Sequence, residues 1–303
     1  MPPLAIRLQP RDVSLLGELR EVGLLDTPTL HDRHFPADRT GKACLRRLAL
    51  YARHGLVEPI SPSVSFGLPR GGRLPAIHRL TPRGADVLCS FTGETGRRVP
   101  SGSPKPETLL HRLGCAQLQL LLRDGCRLAK LPPPTWIGEY ETRPGASIRS
   151  PLPERFMLCQ SYAHSTGRWT CWPDAAALVR IPDIRAPAGA THPLVMLFEY
   201  DRSTETLKQV AGKVPGYEQL VTRGDWRRFW PDLVKPTVRV FFLTRSEERI
   251  ENIVAAIRDL PGADVFRFAV LASLTPATFF TDALWHTCQG DCRAILKPTA
   301  DAA

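Results

Sequence analysis

Helical and strand periods alternate along this chain in two blocks. Through residues 10–22, Val13, Leu15, Leu16 and Leu19 recur at helical spacing, and Gly23 supplies a stop. Thr27-Pro28 reads as the start of a short second helix running toward Phe35, with Thr27 as N-cap and Pro28 in the first helical position. Asp38 caps a third helix that runs to about His54 and stops at Gly55. Two short strands, Leu56 to Ile60 and Ile77 to Leu80, flank a Gly- and Pro-rich loop carrying Arg70 and Arg73. Thr81-Pro82 then opens a helix near residues 82–90. Three helices, a strand, a basic loop and a strand come in the order of a winged helix-turn-helix.

Residues 92–106 break every period with Gly, Pro and Ser and read as a linker. A helix follows at about 107–124, with Leu109, Leu110, Leu113, Leu120 and Leu121 as its apolar side. Strands are expected at Trp136 to Tyr140, 172–181 and 193–201. A helix over 204–221 comes next, with Pro215-Gly216 as a candidate break. Val238 to Leu243 reads as a buried strand, Ser246 caps a helix to about Leu260, and Val265 to Leu271 is a further strand. Strands alternating with helices call for a mixed sheet flanked by helices. The expectation is therefore an α/β chain, α+β overall, with a winged helix over 1–91, a linker over 92–106 and a second domain over 107–303.

Charge sharpens this picture at the N-terminal end. The net charge is +10, and residues 1–106 hold 16 Lys and Arg against 9 Asp and Glu, so about two thirds of the excess lies in the first third of the chain. In the third helix Arg39, Lys42, Arg46 and Arg53 fall within about 60° of one another at 100° per residue. Leu45, Leu48, Ala49 and Ala52 occupy a separate arc that would face the other helices, although Leu50 interrupts the basic one. With Arg47, Arg70 and Arg73 added, these residues form the expected contact set for double-stranded DNA. A solvated basic face is the plainer alternative. No stretch of the sequence has the length and apolarity of a secretory h-region or a membrane span, so a cytoplasmic protein is expected. Cys288, Cys292 and His286 form the tightest local group of metal-binding types. Structural zinc needs four ligands at closer spacing, so no metal is expected there.

The chemistry concentrates in the second half. Asp174 follows Pro173 at the start of one strand, and Glu199 and Asp201 end the next, two apart and so on one face of an extended chain. Carboxylates converging from two strand ends could hold a hard divalent cation, which polarises a phosphodiester or activates water. Each residue has a plainer reading: Asp174 as a turn former, Glu199 in an ion pair with Arg202 or Lys213, Asp201 bonding backbone amides, and Lys213 solvated. Trp226, Phe229 and Trp230, beside Arg223, Arg227 and Arg228, read as a cover for the sheet edge more readily than as a base-stacking platform.

The Pro-Asp pair, the Glu-x-Asp after an apolar strand and the α-β-β-β-α-β order resemble the PD-(D/E)XK nuclease superfamily. The winged helix, Trp136-x-x-Glu139, Pro173-Asp174, Glu199-x-Asp201-Arg202-x-Thr204-Glu205 and Lys213-x3-Tyr217, taken together over residues 8–260, resemble more narrowly the replication-relaxation family of plasmids and other mobile elements. That resemblance implies Asp174 and Glu199 as metal ligands, with Glu139 as a third and Mg2+ or Mn2+ as the cofactor of an active site. The superfamily places a lysine two residues after the acid, where this chain has Asp201. Lys213 or Lys208 would have to reach back from the following helix, and otherwise cleavage is lost. Three functions stay open at this point: a DNA-binding accessory protein with other replication or mobilisation proteins as partners, a metal-dependent endonuclease, and a transcription regulator with a sensing domain.

Overall fold

The computed structural model describes residues 6–60, 74–93, 106–165, 167–183, 185–187 and 189–296. The chain divides into two compact units, Met1–Leu120 and Leu121–Ala303. The second unit therefore begins later than the expected residue 107, because α5 (Pro106–Leu128) is one continuous helix whose Leu109, Ala116 and Leu120 are buried in the first unit's core. Most of the expected linker, including residues 94–105, lies outside the described residues, as do Arg70 and Arg73.

The first unit comprises α1 (Pro10–Val22), β1 (Leu24–Asp26), α2 (Thr27–His34), α3 (Lys42–Arg53), β2 (Val57–Ile60), β3 (Ile77–Leu80) and α4 (Pro82–Thr92), together with the first turns of α5. Among the described residues β1, β3 and β2 form an antiparallel sheet in that order. Strand β1 was not expected from the sequence, since three residues are too few to display a period. The N-cap of α2 is Asp26 rather than Thr27. Its carboxylate accepts from Thr29 N at 3.0 Å, which shifts Thr27 inside the helix. Asp38 does serve α3, accepting from Ala43 N at 2.7 Å and Cys44 N at 3.0 Å, although the helix itself starts at Lys42 after Gly41.

The buried side of α3 is Cys44, Leu48 and Tyr51, not the expected arc through Leu45 and Ala49, because Leu45 is 55% exposed. A polar cluster turns the helix. Asp12 of α1 is fully buried and accepts from Arg47, from the Tyr51 hydroxyl and from Gln9 N at 2.7 Å. Burial alone would raise its pKa, but these three donors hold it below the ordinary carboxylate value. At the far end of the unit, Thr81 caps α4 and Gly84 lies so close that a Cβ there would meet Leu56 O at 2.1 Å. Only glycine lets α4 approach the backbone leading into β2.

The second unit adds β4 (Thr135–Gly138), α6 (Leu152–Arg155), β5 (Gln160–His164), β6 (Gly167–Cys171), β7 (Ala175–Pro182), β8 (Thr191–Tyr200), α7 (Leu207–Arg223), β9 (Thr237–Thr244), α8 (Glu247–Ile257), β10 (Phe266–Val270), β11 (Trp285–His286) and β12 (Cys292–Arg293). Among the described residues, seven strands form a mixed sheet in the order β12-β11-β10-β9-β8-β7-β4, and β5 and β6 form a separate hairpin. The β8–β9 and β9–β10 pairs are parallel, and the others are antiparallel. This is the mixed α/β architecture expected. The expected strand over 172–181 is β7 and starts at Ala175; Trp172, Pro173 and Asp174 connect it to β6, which ends at Cys171.

Strand β8 is buried from Pro193 to Glu199 because it has a strand on each side and α7 packed on its sheet. Helix α7 runs through Pro215 without a break. Gly216 sits against Cys171 and Thr170 O at 3.2–3.3 Å from where a Cβ would stand, so the helix is pressed closely onto β6. Val210, Val214, Tyr217 and Leu220 fill the core beneath it. Trp226 and Phe229 are buried in the same core, which makes them the cover over the sheet rather than a stacking surface.

Candidate functional site

The site grows from strand register. Gly138 of β4 pairs with Ala175 of β7, so the next residues outward, Glu139 and Asp174, stand opposite one another at the same sheet end. Carboxylate oxygens of the two lie within 4.8 Å of each other. Ala175 in turn pairs with Phe198 of β8, and Asp174 bonds this junction twice. Its N–H donates to Phe198 O at 2.9 Å, and its Oδ2 accepts from Tyr200 N at 2.7 Å. Asp174 is thus both a strand-end fastener and a member of a carboxylate group.

Glu199, the next residue of β8, is 3% exposed, and a carboxylate there needs partners. It finds two on α7, one turn apart. Lys213 Nζ donates to Glu199 Oε2 at 2.7 Å, and the Tyr217 hydroxyl donates to Oε1. The spacing i, i+4 places both donors on one helix face. Lys213 also meets Glu205 Oε1 at 2.8 Å. Burial pushes the Glu199 pKa up, Lys213 pulls it back and the Asp174 charge pushes it up again, to about 7. Burial would lower the Lys213 pKa, but Glu199 and Glu205 together raise it, so the ammonium stays charged.

Among the expected site residues, the structure brings Glu139, Asp174, Glu199 and Lys213 into one neighbourhood and sets Asp201 apart. Asp201 follows the end of β8 and is engaged elsewhere: its Oδ2 accepts from Arg249 Nε at 2.6 Å, and its Oδ1 accepts from Ser203 N at 2.8 Å. Arg249, on α8, also donates to Glu205 O at 2.7 Å. It carries no sequence signal linking it to Asp201, because 48 residues separate the two. Each oxygen of Glu199 is bonded, one to Lys213 in the ion pair that was its plainer reading and one to Tyr217. The Lys213-x3-Tyr217 spacing and a Glu199–Lys213 ion pair were both legible in the sequence, while the Tyr217 hydroxyl as second donor to Glu199 was not. Lys208 is exposed and makes no ion pair among the described residues.

The donor set suits a hard divalent cation. Glu139 and Asp174 present oxygens close enough for both to lie ~2–2.6 Å from one ion. Glu139, Asp174, Glu199 and Glu205 bring four carboxylates to the neighbourhood, where Lys213 supplies one positive charge. Burial is the main reason the Glu199 pKa is raised, and of these neighbouring carboxylates Asp174 adds to it. The group at the other end of the chain is different in kind: Cys288 donates to Ala263 O, His286 pairs with Glu247 at 3.1 Å and Cys292 is exposed.

In the first unit Lys42, Arg46 and Arg53 of α3 are exposed. Arg39 is exposed in the turn before α3, not within the helix as expected. Arg47 is set apart from them: it is half-buried, and its guanidinium bonds Asp12, the Tyr51 hydroxyl and Arg7 O. No helix among the described residues is long and apolar enough to cross a membrane.

Comparison with known proteins adds the following. No curated protein sequence matches the chain significantly. The solved structure of the SdaI restriction endonuclease aligns at 12% identity over 90% of this chain and 88% of that one, with a TM-score of 0.21, too low to carry an argument. The family model described as replication-relaxation matches residues 16–233, more than two thirds of the sequence. On that match, the chain belongs to the replication-relaxation family.

Proposed function

We propose that this protein binds double-stranded DNA of a plasmid or mobile element during replication, through a winged helix in its first unit, and that its second unit carries a divalent-cation-dependent, nuclease-like phosphodiester site. The reading places it in the cytoplasm with other replication or mobilisation proteins. The observation that carries it is the return of Lys213 from α7 onto Glu199, beside the facing carboxylates of Glu139 and Asp174. The lysine missing two residues after Glu199 is thereby supplied from the helix.

Glu139 and Asp174 are the residues that would hold Mg2+ or Mn2+. Such an ion, when bound, polarises the phosphodiester and lowers the pKa of a bound water. The chain's own contribution is positional. Glu199 and Glu205 fix the Lys213 ammonium in its charged state, where it offsets negative charge building on a phosphate. Tyr217 holds Glu199 in place while it does so. Trp172, whose indole donates to Glu139 O at 3.1 Å, fixes the turn that bears Glu139.

A second reading, in which the second unit only scaffolds an assembly, is favoured by the complete engagement of Glu199 with Lys213 and Tyr217. Supercoiled plasmid with Mg2+ or Mn2+ separates the two. Nicking or linearisation that is lost in both Asp174→Ala and Lys213→Ala supports the nuclease-like site. Retained DNA binding with no strand cleavage by the native protein overturns it in favour of the scaffold.

A further inference from the structure

A second basic feature lies in the second unit, away from the carboxylates. A cavity of about 430 Å³ is lined by Thr222, Gly224, Arg227, Lys235, Thr237 and Arg239, together with the Trp226 ring and apolar neighbours, and no acidic residue contributes to its wall. Thr237 pairs with Leu194 where β8 and β9 run parallel, whereas Glu199 pairs with Phe242. Five residues at ~3.3 Å each put the cavity about 16 Å along the strands from Glu199. It is a separate site, and it does not rest on the nuclease-like reading.

Its cations are poorly compensated. Arg239 is half-buried and bonds only its neighbour's carbonyl, Val238 O, at 2.8 Å. On the next strand Arg267 likewise bonds carbonyls, Asp264 O at 2.8 Å and Phe266 O at 2.6 Å. Neither guanidinium has a carboxylate in ion-pair range among the described residues. Arg293 lies close enough to repel both. Its own charge is met by Asp291 at 2.6 Å, while Asp264 attracts Arg239 from beyond ion-pair range and outweighs the repulsion from Arg293 there. Burial is the main cause lowering the pKa of both Arg239 and Arg267, and at Arg267 the neighbouring Arg239 and Arg293 charges lower it further. Lys235 makes no ion pair among the described residues and holds a left-handed backbone, with φ 45°, that a lysine rarely adopts. Arg227 lies over the Trp226 ring at 4.3 Å. Half-buried guanidiniums without acids are costly unless an anion completes them, and arginine is the side chain best shaped to fork onto a phosphate.

We propose that this cavity binds the phosphate group of a nucleotide, with Arg227, Lys235 and Arg239 as its charged contacts. The volume lies within the range of small-ligand pockets and exceeds what a bare phosphate fills, so a nucleoside has room beside the phosphate. The same chemistry is offered by a free mononucleotide and by one residue of a DNA strand.

Isothermal titration of the full-length protein tests this with three probes: inorganic phosphate, dAMP and a short single-stranded oligonucleotide. The titrations use a Lys42→Ala/Arg46→Ala/Arg53→Ala background, which removes any contribution from α3. The expected result is binding that weakens about tenfold or more in Arg227→Gln/Lys235→Gln, at unchanged thermal midpoint. Arg239→Gln should abolish it. Should that half-buried substitution unfold the protein, the two exposed positions still decide the question. Binding of dAMP and phosphate in competition identifies a free nucleotide as the ligand, and binding of the oligonucleotide alone identifies a strand phosphate. No binding of any probe, or binding equal in the native and Arg227→Gln/Lys235→Gln proteins, overturns the proposal.

Discussion

Lys213 shows how a single side chain acquires its role from what surrounds it. Removing it would leave Glu199 buried with an unshared charge, so Lys213→Met should destabilise by ~3–5 kcal/mol, while the double variant with Glu199→Gln should recover part of that loss. Urea denaturation of the four proteins measures the coupling, and additive losses would show that the two groups do not interact. His78 makes a second test. It is 6% exposed; its Nε2 lies 2.9 Å from Thr27 Oγ1, whose hydrogen goes to Ala76 O, and its Nδ1 has no partner. Burial lowers its pKa to about 4 from an ordinary 6.5, against a weaker pull from Asp26. The unfolded chain therefore binds the extra proton first as pH falls. The neutral ring's contribution is complete above pH 6.5 and is lost progressively toward pH 4, by ~3 kcal/mol in all. His31 and Glu199, with raised pKa values, slope the other way, so the measurement is the difference from a His78→Leu variant. Equal pH slopes in the two proteins over that range would remove His78 as the cause.

At the scale of elements, α3 and α4 carry separate and testable demands. Lys42, Arg46 and Arg53 fall within about 40° of one another on the exposed side of α3 at 100° per residue. If that face meets phosphates, Lys42→Ala/Arg46→Ala/Arg53→Ala should weaken duplex binding strongly and flatten its dependence on salt by about three counterions. Unchanged affinity and salt slope in a fluorescence-anisotropy titration would remove α3 from the interface. Arg47→Ala should act through stability instead, because it leaves the buried Asp12 without its one cation, with only the Tyr51 hydroxyl and Gln9 N as donors. Gly84→Ala should cost ~1–3 kcal/mol or more, since the new Cβ meets the Leu56 backbone rather than a side chain that can turn away. A thermal midpoint equal to that of the native protein would show that α4 is free to move.

For the molecule as a whole, the proposal assigns binding and cleavage to different units, and the two should separate by mutation. Asp174→Ala should keep the duplex affinity of the native protein while losing Mg2+-dependent nicking. The α3 triple variant should still nick at saturating DNA, with its loss confined to KM. Chelation by EDTA should stop cleavage and leave binding intact. Loss of both activities from either variant would mean that one site serves both.

What the amino-acid sequence determined by itself is local and periodic. A helix over 204–221 was legible, although only packing settled that it runs unbroken through Pro215; the run from Val238 to Leu243 specifies a buried strand, and Ser246 and Thr81 announce their helices. The two-domain α/β pattern and the acids at the strand ends are legible for the same reason, since each depends on neighbours a few residues away. Short elements escaped: β1, and the β5–β6 hairpin over Gln160–Cys171, are too brief or too evenly mixed to show a period. Pairings across long stretches of chain were decided by the tertiary structure alone. Asp201 is taken by Arg249, and Arg47 by Asp12. A side chain's spacing fixes the face it occupies, but the charge it finds there depends on which distant element packs against that face. Burial then makes the pairing obligatory, because a carboxylate removed from water must be completed by whatever cation the fold delivers.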